Sequence, residues 1–267
     1  MDPFFWQSVL VGFLAQLVDG ALGMAYGLVS TSFLMAMGVP PAAASAAVHT
    51  AEIFSTGVSG AAHTWRKNVN WSLVLRLAPA GIIGGIAGAM AVSYLPIGII
   101  KPVVSAYLLL MGVFVITLAF RKAPEKPVSP NSGAAVGLVG GFLDAAGGGG
   151  WGPISTTTLL GRGHAPRQAV GSVNVSEFFV TAAISATFFL TLGGVRWTDI
   201  AGLIIGGVLA APIAAFAVSI ARPRVLMGVI GCFVSSLALW QIAVAIDPNM
   251  TFVASLTAMA SPSGFSR

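Results

Sequence analysis

Charge is what this chain lacks most. Only 8% of its 267 residues are Asp, Glu, Lys or Arg, and 56% are hydrophobic. A soluble domain carries about 25% charged residues, so a water-soluble globule of this composition could not cover its surface. Cysteine is nearly absent too. Cys232 is the only one, which excludes an intramolecular disulfide and any cysteine-based zinc cluster. No G-x-x-x-x-G-K-[ST] stretch exists to hold a nucleotide, so ATP-driven work would need another chain. No Gly-x-Ser-x-Gly elbow marks a hydrolase nucleophile either. The opening Met-Asp-Pro-Phe-Phe-Trp has no basic flank, so no cleavable signal peptide is expected and the first apolar run is read as the targeting segment.

Apolar runs and glycine fill the space that charge leaves. Mean hydropathy is +0.91, and there are 33 glycines. Several runs reach the roughly 20 residues that a helix needs to cross a bilayer. The expectation is an all-α polytopic membrane protein. The net charge of +5 is carried in short connections such as Arg66-Lys67, Arg121-Lys122 and Arg222, which suits headgroups and water and does not indicate nucleic acid.

One stretch organises the rest. Leu143-Asp-Ala-Ala-Gly-Gly-Gly-Gly-Trp-Gly-Pro153 places a carboxylate and a glycine run inside an apolar segment. A near copy stands earlier, at Val18-Asp-Gly-Ala-Leu-Gly-Met-Ala-Tyr-Gly-Leu28. A constant offset carries Asp19 onto Asp144, Gly23 onto Gly148, Tyr26 onto Trp151, Ser30 onto Ser155 and Thr31 onto Thr156. It also carries Pro41 onto Pro166 and Glu52 onto Glu177. About a third of the positions from Val11 to Thr56 are identical under this offset, against roughly a tenth by chance, which marks an internal duplication.

The expected plan is about four apolar runs per half. Residues 1–120 form the first repeat, 121–132 a Pro-rich polar linker, 133–246 the second repeat and 247–267 a tail. The first run of each half, about 4–37 and 133–161, is too long for one upright crossing and is expected to break at the Asp-Gly motif. Pro41 and Pro166 should open the following helices. Pro96 and Lys101-Pro102 should mark a turn, and 193–199 another. Gly81-Ile-Ile-Gly-Gly-Ile-Ala-Gly88, echoed by Ile204-Ile-Gly-Gly207, offers small residues for close helix packing. The two homologous halves, each with a broken first helix, are expected to pack about a pseudo-two-fold axis. An odd number of crossings per half would make the repeats inverted and an even number parallel.

Four carboxylates lie within apolar runs: Asp19, Glu52, Asp144 and Glu177. A charged Asp at a helix centre costs about 2.5–3.5 kcal/mol on insertion scales, so each needs a proton, a partner or a wet cavity. Asp19 and Asp144 can also cap the helix restarted after the break. His49 is three residues before Glu52 and shares its helix face, so the two can hold and pass a proton; the alternative is a core histidine with a satisfied hydrogen bond. Asn174 replaces His49 ahead of Glu177. Gly147, Gly148, Gly149 and Gly150 can expose backbone N–H groups to an anion, with Gly23 in the first copy, and Ser30, Thr31, Ser155 and Thr156 add hydroxyls. Close packing and a flexible turn are the alternative for the glycines. No metal site and no cofactor is expected.

These features together resemble the TauE/SafE family, named for sulfite and organosulfonate export. The duplicated broken segment carries the resemblance, with the Gly147–Pro153 run, the Pro41 and Pro166 helix starts, Val48-His-Thr-Ala-Glu52 and Val173-Asn-Val-Ser-Glu177. The resemblance implies a secondary transporter of small, often sulfur-containing anions in the cytoplasmic membrane of a prokaryote. In the first copy Leu22, Met24 and Ala25 replace three glycines, so an anion site would lean on the second half. A passive anion channel, a membrane-assembly subunit and, less favoured, an intramembrane enzyme are the competing readings. The expected partners are a small anionic solute and membrane lipid, with no nucleic acid.

Overall fold

A computed structural model describes residues 3–120, 133–193, 197–217 and 223–246. Among the described residues there are ten α-helices and no strand. They are α1 (Pro3–Leu22), α2 (Tyr26–Ala36), α3 (Pro41–Trp65), α4 (Trp71–Tyr94) and α5 (Ile97–Phe120), then α6 (Gly133–Gly147), α7 (Trp151–Gly161), α8 (Pro166–Leu192), α9 (Trp197–Ala217) and α10 (Pro223–Ile246). The expected linker 121–132 and tail 247–267 lie outside the described residues. The described residues form an all-helical fold, and the spans Trp71–Tyr94, Ile97–Phe120, Arg167–Leu192 and Arg224–Ile246 are long and apolar enough to cross a membrane.

Each long first run is broken. α1 stops at Leu22 and α2 starts at Tyr26; α6 stops at Gly147 and α7 starts at Trp151. Pro41 opens α3 and Pro166 opens α8, where the missing N–H of proline would have had no helical partner anyway. Two expected turns differ. Pro102 does not end a helix but lies inside α5, about one turn from its start. The carbonyl it leaves unpaired falls at the exposed beginning of that helix, where the loss is tolerated. The connection expected over 193–199 is shorter, because α9 already begins at Trp197; no proline or glycine separates Trp197 from Ile200 to stop it.

The halves interleave. α1 packs along α9, α4 along α6, α3 against α8 and α5 against α10. Glycine sets the closeness of the first two pairs. A Cβ on Gly12 would lie 2.6 Å from the Leu203 carbonyl oxygen, and one on Gly202 2.7 Å from the Ser8 side chain. In the other pair, a Cβ on Gly84 would overlap the Leu138 carbonyl, and one on Gly141 the Gly81 carbonyl. Small residues therefore let the backbones touch, as packing in lipid requires. Large apolar side chains such as Leu75, Leu110, Leu190 and Leu239 point outward. Ser, Thr, Asp, Glu, His and Gln gather inside, since lipid offers them no hydrogen bonds.

Candidate functional site

The two breaks meet in the core. A Cβ on Gly27 would lie 2.8 Å from the Gly149 Cα and 3.1 Å from the Gly148 carbonyl oxygen. A Cβ on Gly152 would lie 2.6 Å from the Gly23 carbonyl oxygen. Two crossed hydrogen bonds tie the breaks together. Thr31 Oγ1 donates to the Gly148 carbonyl at 2.5 Å, and Thr156 Oγ1 donates to the Gly23 carbonyl at 3.1 Å. The duplication exchanges one bond for the other, so the crossing is built from repeat-equivalent parts. Gly148, with φ +71°, adopts a left-handed turn that favours glycine.

The glycine run closes on Asp144. Its backbone carbonyl accepts from Gly148 N at 2.7 Å and Gly149 N at 3.1 Å. Its Oδ1 accepts from Gly150 N at 2.8 Å and Trp151 N at 3.0 Å. The carboxylate thus seats on the N-terminus of α7, where unsatisfied N–H groups and the helix dipole favour negative charge. The N–H groups expected to face a solute are engaged by this residue. Asp19 stands in the same relation to α2, but more loosely, with Tyr26 N donating to its Oδ1 at 3.4 Å.

His49 completes the arrangement from the other half. Its Nε2 lies 3.1 Å from Asp144 Oδ2, and its Nδ1 lies 2.7 Å from the Ser45 carbonyl oxygen. A carbonyl only accepts, so Nδ1 carries a hydrogen. The contact between Nε2 and Oδ2 must then hold one more proton, or two lone pairs would face each other. The His49 ring thus bonds to Asp144, and it bears on Glu52, its expected partner, through charge. Sharing a helix face leaves the two side chains on successive turns, and the ring points across to α6. Ser45 Oγ adds a bond to the Ala145 carbonyl at 2.8 Å, which fixes α3 on α6. Asn174, in the place of His49 on α8, accepts from Ser59 Oγ at 2.8 Å and donates to the Val170 carbonyl at 3.0 Å.

The four carboxylates gather in one place. Asp19, Glu52, Asp144 and Glu177 are all buried and within electrostatic reach of one another. Glu52 Oε1 would lie 3.3 Å from a Cβ on Gly27, which puts this acid at the crossing, and its Oε2 has no partner. The Oγ atoms of Ser30 and Ser155 are also buried without a partner. Among the described residues no group of His, Cys, Asp and Glu is arranged to hold a metal ion.

Two residues escape a reading of sequence alone. Tyr107 Oη of α5 donates to the Gly149 carbonyl at 2.8 Å, and its ring covers Gly147 and its hydroxyl Gly150 so closely that a Cβ on either glycine would overlap it. Its one signal is a lone phenol in an aliphatic run. Ser45 is the other, signalled only by standing four residues before His49. Two cavities lie between the helices. A cleft of about 170 Å³ between α3 and α8 begins at Thr56, one turn past Glu52, and runs to Thr64. A second, of about 420 Å³, is wholly apolar and lies among α1, α2 and α10.

The family model described as "Sulfite exporter TauE/SafE" matches residues 8–241. The chain is 42% identical over 233 residues to the Bacillus subtilis (strain 168) protein named "Probable membrane transporter protein YtnM", covering 84% of this chain and 78% of that relative. No solved structure matches the chain.

Proposed function

The chain belongs to the sulfite exporter TauE/SafE family and is a multi-pass membrane transporter, and from that premise we propose that it is a secondary transporter of small anions. Sulfur oxyanions and organosulfonates are the favoured solutes, and the cytoplasmic membrane of a prokaryote is the favoured location. One observation carries this reading: a carboxylate, itself an oxyanion, is already seated on the Gly150 and Trp151 N–H groups with the His49 ring behind it. The core thus contains donors arranged for a planar or tetrahedral oxyanion, inside a shell where charge interactions are strong. The unpartnered hydroxyls of Ser30 and Ser155 supply further donors. The glycines of the crossing and the hydroxyls of Thr31 and Thr156 hold the two breaks against each other.

Proton coupling follows from the same crowding. An anion entering beside four carboxylates is repelled unless some of them are neutral. Glu52 and Glu177 occupy repeat-equivalent places and would carry protons with a dianionic solute, or shape the site by releasing them, with His49 and Asn174 one turn before them.

The test is flux in liposomes containing the purified protein. Radiolabelled sulfite and methanesulfonate should accumulate above the external concentration when a pH gradient is imposed. Glu52→Gln and Glu177→Gln should flatten the pH dependence of sulfite uptake. Equilibration without accumulation would indicate a passive channel, and an unchanged pH profile in both variants would remove the proton role of the two glutamates.

A further inference from the structure

We propose that Asp144 is a built-in occupant of the anion site, and that a proton taken up by Asp144 admits the solute to the N-terminus of α7. The inference rests on the transporter reading above and identifies the device that couples the two ligands.

The donors of Gly150 and Trp151, with His49 behind them, form a place for one negative group. Left empty in a low-dielectric core, that place would hold uncompensated positive charge and unpaired N–H groups, which is costly. Asp144 fills it in the resting protein, with its charge paired to the His49 imidazolium. A proton added to Asp144 makes it a neutral acid and weakens its hold on the two N–H groups. The oxygens of the solute then take those donors, while His49 keeps its proton and faces the solute as the cation. One proton and one monoanion enter together, and the charge of the pocket does not change. On release the carboxyl returns its proton to water and reseats.

A second, independent feature points into the same space. Glu52 is buried at the crossing, with Oε1 against Gly27 beside Gly149 and Oε2 lacking any partner. It offers a place for a second proton when the solute is a dianion. The titratable groups that bear on Asp144 are His49 and Glu52 from α3, Asp19 from α1, Glu177 from α8 and Tyr107 from α5. Arg76 of α4 sits at the far end of α6, beside Gly133. His49 is thus the basic group of this set.

Methanesulfonate is the probe, because its charge is constant across neutral pH. In vesicles carrying a pH dye and the full chain, wild-type uptake should bring about one proton per anion. The Asp144→Asn variant keeps a capping oxygen for α7, and its methanesulfonate movement should bring none. In parallel, infrared difference spectra of the purified proteins should show a carboxylic-acid band on methanesulfonate addition in the wild type and not in Asp144→Asn. Uptake with an unchanged proton-to-anion ratio in Asp144→Asn, or the same band in both proteins, overturns the proposal and leaves the transporter reading standing. A band dependent on Asp144 without any flux supports the proton-gated site and removes methanesulfonate as a transported solute. Absence of both band and flux overturns the proposal.

Discussion

Asp19 and Asp144 hold the same place in the two repeats but have very different surroundings. Asp144 accepts two short backbone bonds and faces an imidazole. Asp19 faces the backbone N–H groups of Ala25 and Tyr26 more loosely, at 3.4 Å from Tyr26 N, and the residue corresponding to His49 is Asn174, which bonds to Ser59 and Val170. The glycine run in front of Asp144 is matched by Leu22, Met24 and Ala25 in front of the partner position. Yet the scaffold bonds of Thr31 and Thr156 are conserved in kind across the two halves. The duplication therefore builds the crossing symmetrically, while the charge chemistry is concentrated on one side of it.

Substitutions can break or sharpen that contrast. The largest effect is expected from Gly27→Ala, because its Cβ would meet the Gly149 backbone at 2.8 Å and neither chain can move aside. Overpacking of this kind costs about 3 kcal/mol or more, and the detergent-purified variant should melt far below the wild type or fail to accumulate. Gly98→Ala is the control, since nothing lies within 4 Å of its Cβ; it should melt no lower than the wild type.

Next is the direct comparison of the acids. Asp144→Ala strands His49 without its charge partner, a loss of about 3 kcal/mol. Asp19→Ala removes a cap alone, about 1 kcal/mol. Thermal melts should rank the two in that order, and equal shifts would mean that the asymmetry is only geometric. Exchanging the partner positions sharpens the point. His49→Asn should abolish the pH dependence of methanesulfonate uptake, and adding Asn174→His should restore part of it by giving Asp19 an imidazole. The pH profile of the double variant decides this. The smallest effects belong to the symmetric bonds. Thr31→Val and Thr156→Val should each lower stability by about 1 kcal/mol, by the same amount within error, with no change in pH profile.

Much of this architecture is legible in the chain because duplication doubles every signal. The offset that carries Asp19 onto Asp144 also carries Pro41 onto Pro166 and Glu52 onto Glu177, and those positions do mark the breaks, the helix starts and the buried acids. Residue pairing is less legible. His49 and Glu52 are neighbours along one helix, but the ring finds Asp144 because α3 packs on α6, a contact no local spacing reveals. The same holds for Tyr107, which reaches the Gly149 carbonyl from α5. The glycine run reads correctly as a source of N–H donors, but whether those donors face a solute or a side chain depends on how the turn closes. Here it closes on Asp144. Pro102 shows a milder failure: a proline near a helix start does not end the helix when the carbonyl it orphans is exposed.

Selenate soaked into crystals of the protein at acidic pH offers the most direct test, because selenium can be located by its anomalous scattering. The expected result is a peak within hydrogen-bonding distance of the Gly150 and Trp151 amides and the His49 ring, with the Asp144 carboxyl displaced. A peak elsewhere with Asp144 still seated on α7, or the same occupancy at acidic and alkaline pH, would contradict the account.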